Sequence, residues 1–70
     1  PLTKELIYVA VSIANNCPYC MASHTAAARA KGMSEAQLNE LYAVVGLASM
    51  TNRLANAYQV PLDDALKQQS

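Results

Sequence analysis

Both cysteines and the single histidine of this chain fall within eight residues, Cys17-Pro18-Tyr19-Cys20-Met21-Ala22-Ser23-His24. Two thiols at that spacing can close a small disulfide and be reopened by exchange. A histidine four positions after the second thiol can trade a proton with it if the segment is helical, because residues at i and i+4 share a face. Since the thiolate is the nucleophile, anything that lowers a thiol pKa here turns a cysteine into a reagent. Two duller readings stand beside this one. The cysteines could be small buried hydrophobes. They could also ligate zinc with His24, but zinc wants a fourth ligand or an open position. The chain has no other Cys or His, and Glu5 is the carboxylate that could serve.

The elements that must position these groups read as helices. Alanine is abundant, there are two glycines, and no Asn-Gly or Asp-Gly hairpin signal occurs. The first helix is predicted from about Thr3, acting as its cap, to Ala14, with Leu6, Val9, Ala10 and Ile13 forming an apolar stripe. The β-prone run Ile7-Tyr8-Val9-Ala10-Val11 is the competing strand reading, outweighed by Ala10, Ala14 and the length of the segment. Asn15-Asn16 breaks the pattern with residues that tolerate left-handed dihedrals. Pro18 fits the first turn of a second helix that runs to about Lys31 and stops at Gly32. Arg29 and Lys31 suit the negative end of its dipole.

Ser34-Glu35-Ala36-Gln37 is a capping box. The third helix it opens carries Leu38, Leu41, Val45 and Ala48 on one face and continues to about Tyr58 before Pro61. Gly46 inside it calls for a close helix approach or a slight kink. Leu62 to Ser70 reads as a short helical turn or a fraying tail. On this placement Cys17 lies near an N-cap and Cys20 in the first turn, where unpaired N–H groups and the dipole favour a thiolate. The dipole and His24 together are expected to lower the Cys20 pKa, leaving Cys17 to close the disulfide. Glu5, on the preceding helix, reads from spacing alone as a solvated first-turn carboxylate.

Composition bounds the rest. Seventy residues make a single domain, 1–70, of marginal size for an independent core, yet 53% are hydrophobic. Burial against further copies of the chain resolves that conflict. The chain begins at Pro1, which suits a processed protein or a piece of a longer one. Five basic and five acidic residues give a net charge of +0, without the basic patch that nucleic acid demands. No apolar run reaches the roughly 20 residues of a membrane span, and Leu6 to Ala14 lacks the flanks of a signal peptide. One C-x-x-C pair suits a reducing, cytoplasmic setting better than a secreted disulfide scaffold.

Two families resemble the chain at these residues. Cys17-Pro18-Tyr19-Cys20 is similar to the glutaredoxin tetrapeptide, and Val60-Pro61 is superficially similar to a later glutaredoxin element. Glutaredoxins are built on a sheet, however, and Ser34 to Tyr58 reads as helix. The better resemblance, over nearly the whole chain, is to the AhpD-like alkylhydroperoxidase branch of the carboxymuconolactone decarboxylase family. Its pattern is a glutamate, then C-x-x-C-x-x-x-H, met here by Glu5, Cys17, Cys20 and His24. Ala26, Ala30, Gly32, Met33 and Ser34 also look like the family. Tyr19 departs from members that carry a second histidine between the cysteines.

That resemblance implies an all-α, AhpD-like helical bundle completed by homo-oligomerisation, as a trimer or hexamer. It implies a peroxide substrate, an external dithiol reductant and no cofactor or metal. Residue by residue, it makes Cys20 the attacking thiol and Cys17 the resolving one, with Glu5 and His24 as the proton relay. The rival is a non-catalytic structural or redox-sensing oligomer of the same fold. Lactone decarboxylation, the chemistry of the family's name, does not depend on a C-x-x-C pair.

Overall fold

The computed structural model describes residues 1–67. Four helices follow one another: α1 (Leu2–Ala14), α2 (Pro18–Ala30), α3 (Glu35–Ala57) and the short α4 (Asp64–Lys67). No strand occurs among the described residues, so the run Ile7 to Val11 is helical. Residues 68–70 of the expected C-terminal turn or tail lie outside the described residues.

All three long helices stop in the same way. At the end of α1, Asn16 turns left-handed (φ 55). Its N–H donates to the Ile13 carbonyl at 3.1 Å, and the Cys17 N–H donates to the Ser12 carbonyl at 2.9 Å. This is the Schellman pair of bonds, which satisfies carbonyls the helix leaves open. Gly32 (φ 102) plays the Asn16 part for α2, where the Met33 N–H donates to Ala28 at 3.0 Å. Met33 and Ala28 are both buried, supplying the apolar contact that accompanies the motif. Gln59 (φ 53) does the same for α3, with the Val60 N–H bonded to the Ala55 carbonyl at 3.0 Å. The helix has therefore stopped before Pro61.

The starts differ from one another. The capping box of α3 forms as expected: Gln37 N–H donates to Ser34 Oγ at 3.1 Å, and Ser34 N–H to Gln37 Oε1 at 2.8 Å. Thr3 does not cap α1. The helix begins one residue before it, with Pro1 at the N-cap and no side-chain cap bond. The Pro1 carbonyl accepts the Glu5 N–H at 3.4 Å, closing the turn early.

Packing is centred on α1, against which α2 and α3 both lie, and α2 meets α3 beside their connecting turn through the Ala28, Met33, Leu38 cluster and the Arg29–Glu35 pair. Val9 of α1 is fully buried. A second cluster of Ala28, Met33 and Leu38 sits where α2 turns into α3, with Leu2 and Leu6 of α1 against it. Each buried side chain of Val, Leu or Met size contributes about 1.5–3 kcal/mol, so this core is small. On α3, Leu38 is buried and Leu41 and Val45 half-buried, but Ala48 is exposed. The expected stripe is covered only as far as α1 reaches. Gly46 has open space around it, with no atom near a Cβ placed there, so no close helix approach within the chain accounts for it.

The result is elongated, 43 × 22 × 20 Å, with a radius of gyration of 15.0 Å. A compact chain of this length would have about 11 Å. From Met50 onward every described residue is exposed.

The α2–α3 turn depends on Gly32, whose positive φ a side chain tolerates poorly. Gly32→Ala is expected to destabilise the fold by on the order of 1 kcal/mol, read as a lowered midpoint in urea unfolding, although open space surrounds the position.

Candidate active site

The end of α1 builds the start of the site. The same Schellman turn that closes α1 delivers Cys17, in extended conformation (φ −108, ψ 94), as the N-cap of α2. Its backbone N–H is already held by Ser12, and its carbonyl accepts the Met21 N–H at 2.9 Å. Pro18 follows in the first turn, where a missing N–H costs nothing. Ser12 is itself buried and donates its hydroxyl to the Tyr8 carbonyl at 2.6 Å.

Cys17 and Cys20 are both half-buried free thiols, close together and not joined. Cys17 is held below the ordinary thiol value, first by a hydrogen bond from the Cys20 side chain, then by the Cys20 and Tyr19 backbone N–H groups, against a smaller cost of burial. These N–H groups act as neighbours and not as a full cap, since no side-chain cap bond of ordinary length forms at Cys17. Cys20 is pushed above the ordinary thiol value by the same thiol–thiol bond, then by burial and the Cys17 charge. The lowering expected at Cys20 belongs here to a coupled pair, downward at Cys17 and upward at Cys20. The N-cap position faces the open N–H groups, and Cys20 in the first turn becomes the donor. The two thiols titrate as a pair and not as independent groups.

His24 lies one turn beyond Cys20, but its hydrogen bond goes elsewhere. The imidazole Nδ1 is 2.7 Å from Glu5 Oε2 on α1. Donation from Nδ1 to the carboxylate leaves Nε2 as the ring atom with a free lone pair. The Tyr8 ring stacks on the imidazole, centroids 4.1 Å apart and planes within 6°. Glu5 is not the solvated carboxylate that spacing suggested. Its side chain is 8% exposed. The other oxygen, Oε1, accepts from Lys31 Nζ at 3.3 Å. Its pKa is lowered mainly by the His24 bond and also by Lys31, with burial opposing.

The structure thus brings Glu5 and His24 into direct contact and sets Cys17 and Cys20 against each other at the start of the helix that carries His24. Sequence reasoning missed Tyr8 and Lys31. Tyr8 stands three positions after Glu5, on the same helical face. Lys31 stands seven after His24, two turns along α2, and reads in the sequence only as a dipole partner. Among the described residues no group of three or more His, Cys, Asp or Glu is placed to hold a metal ion. A groove of about 500 Å³ runs between the helices past Ile13, Met21, Tyr42, Val45, Ser49 and Arg53, and none of the four site residues lines it.

The depressed Glu5 pKa links the site to stability. Pairing of the carboxylate is present above the ordinary glutamate value of 4.5 and is lost as pH falls through the lowered one. Below about pH 4.5 the wild-type Tm should fall more steeply than that of Glu5→Gln, and the two curves should run parallel near neutrality.

Comparison with known proteins bears on the family and the fold. No curated protein matches the chain. The crystal structure of an alkylhydroperoxidase AhpD core from Rhodospirillum rubrum superposes with a TM-score of 0.91 at 61% identity, over 94% of this chain and 48% of that one. The chain therefore spans about half the length of that relative. No described helix is long and apolar enough to cross a membrane. The model of the carboxymuconolactone decarboxylase family matches residues 1–63, and the chain, with its AhpD-like helical fold, belongs to that family.

Proposed function

We propose that this chain is a thiol peroxidase of the alkylhydroperoxidase type, cycling Cys17 and Cys20 between dithiol and disulfide. The observation that carries the reading is the Glu5–His24 pair at 2.7 Å, set one helical turn beyond a dithiol at a helix N-terminus. A buried carboxylate that fixes a histidine tautomer is a proton relay in form. A surface protein that merely contained two cysteines would not need one.

In the proposed cycle Cys20, as thiolate, attacks the terminal oxygen of a peroxide. The O–O bond breaks, an alcohol leaves with a proton from the His24 side, and Cys20 becomes a sulfenic acid. Cys17 attacks that sulfur, water departs, and the disulfide forms. An external dithiol then reduces it by two thiolate exchanges and is itself oxidised. A second assignment exchanges the two cysteines. It is supported by the direction of the two thiol pKa values, lowered at Cys17 and raised at Cys20. Both assignments use the same relay and yield the same disulfide.

A homo-oligomer, trimer or hexamer, belongs to the same reading. Ile7, Val11, Val44, Leu47, Met50 and Leu54 are about half exposed, an apolar surface that one 70-residue chain does not cover. The rival, a structural or redox-sensing oligomer, keeps this surface and loses the peroxide.

Stopped-flow mixing with an alkyl hydroperoxide and a dithiol tests the activity. The chain should consume peroxide, Cys17→Ser and Cys20→Ser should each abolish turnover, and a sulfenate trap should label the attacking thiol in the variant lacking the other one. Label on Cys20 alone supports the first assignment, label on Cys17 alone the second. No consumption by the wild type supports the rival. Sedimentation at micromolar concentration should show an oligomer; a stable folded monomer would contradict assembly.

A further inference from the structure

We infer that Lys31 is a positioning residue of the relay: through the second oxygen of Glu5 it sets which nitrogen of His24 carries the proton. The inference rests on the peroxidase reading for its consequence in activity, but not for its structural content.

Glu5 is engaged at both oxygens, by His24 Nδ1 on Oε2 at 2.7 Å and by Lys31 Nζ on Oε1 at 3.3 Å. A carboxyl group beside an imidazole can hold the shared proton itself or leave it on the ring. A cation on the second oxygen stabilises the carboxylate form, so the proton stays on Nδ1 and the Nε2 lone pair stays free. The same cation stops the carboxylate from rotating away from the ring. Lys31 can do this because its backbone is fixed. It is the C-cap of α2, and its N–H bonds to the Ala27 and Ala28 carbonyls at 3.1 Å. Gly32 then turns the chain at φ 102. The residue that ends α2 therefore reaches back to α1 at the level of the buried carboxylate.

The charged and titratable groups facing that carboxylate are His24 and Lys31, with Tyr8 of its own helix stacked on the imidazole. Among the described residues α3 brings no charged side chain to ion-pair distance of Glu5. Its acidic Glu35 is turned instead to Arg29 at 3.0 Å. Loss of the Lys31 charge would remove one of the two contacts that favour the Glu5 carboxylate, leaving the His24 bond alone to do so. A relay that must accept a thiol proton would then work only at higher pH.

The test uses the full chain with 15N-labelled histidine and the variants Lys31→Met and Lys31→Arg. Two-bond 1H–15N spectra near neutral pH should show the Nδ1–H tautomer in the wild type and a mixture in Lys31→Met. Peroxide turnover should fall about two- to fivefold in Lys31→Met, as a half-exposed ion pair permits, with the acid limb of the pH–rate profile moved to higher pH. Lys31→Arg should restore tautomer, rate and pH profile. Urea unfolding of the same variants separates this from a folding defect, which would not move the tautomer of the folded protein. Unchanged imidazole spectra in Lys31→Met would overturn the inference, as would restoration of all three readouts by a neutral residue such as Lys31→Gln. If the wild type consumes no peroxide, the peroxidase reading fails, and the imidazole spectra still decide the role of Lys31.

Discussion

A carboxylate buried between two helices must be paired, and in this protein the demand falls on Glu5. An unpartnered charge at an interface that excludes water would be neutralised or would drive the helices apart. Glu5 meets the demand with one group from the middle of α2 and one from its end, His24 and Lys31. These two contacts tie α1 to α2 along two helical turns. They also orient the imidazole, which is stacked on the Tyr8 ring. Satisfying a buried charge and presenting a histidine with a free Nε2 are here the same act.

The remaining geometry follows from how the helices stop. Each long helix ends with a left-handed residue and the Schellman bonds, at Asn16, Gly32 and Gln59. The first of these turns makes Cys17 at once the residue that closes α1 and the N-cap of α2. The second places Lys31 beside Glu5 and passes the chain into α3. Helix termini, which leave backbone groups open, are thus where the thiol and the ammonium are set. The apolar core adds Val9 and the small cluster of Ala28, Met33 and Leu38, so polar contacts and turn bonds join a small buried core in holding α1 against α2.

The second half of α3 shows what such a core cannot do. α1 is 13 residues long and α3 is 23, and beyond the reach of α1 the apolar stripe is left largely exposed among the described residues. The extended shape and the exposed Val44, Leu47, Met50 and Leu54 are one fact seen twice. Hydrophobic burial scales with surface removed from water, and a chain of this length laid out as a short pair and a long single helix removes little of it.

The helices and the grouping of Cys17, Cys20 and His24 were legible from residue types and spacing, because capping boxes, Asn or Gly stops and the i,i+4 relation are local properties of the chain; Glu5 entered only through the family resemblance. The family was legible too, since its pattern is itself a spacing. Three things were decided only in three dimensions. Glu5 became a buried partner of His24, because burial depends on which helix covers the first turn of α1. The two thiols became one coupled pair, because the turn that ends α1 sets Cys17 at the N-cap beside Cys20 in the first turn of α2. Tyr8 and Lys31 joined the site, because stacking and ion pairing join residues 16 and 26 positions apart, a distance over which no local rule of helical spacing applies.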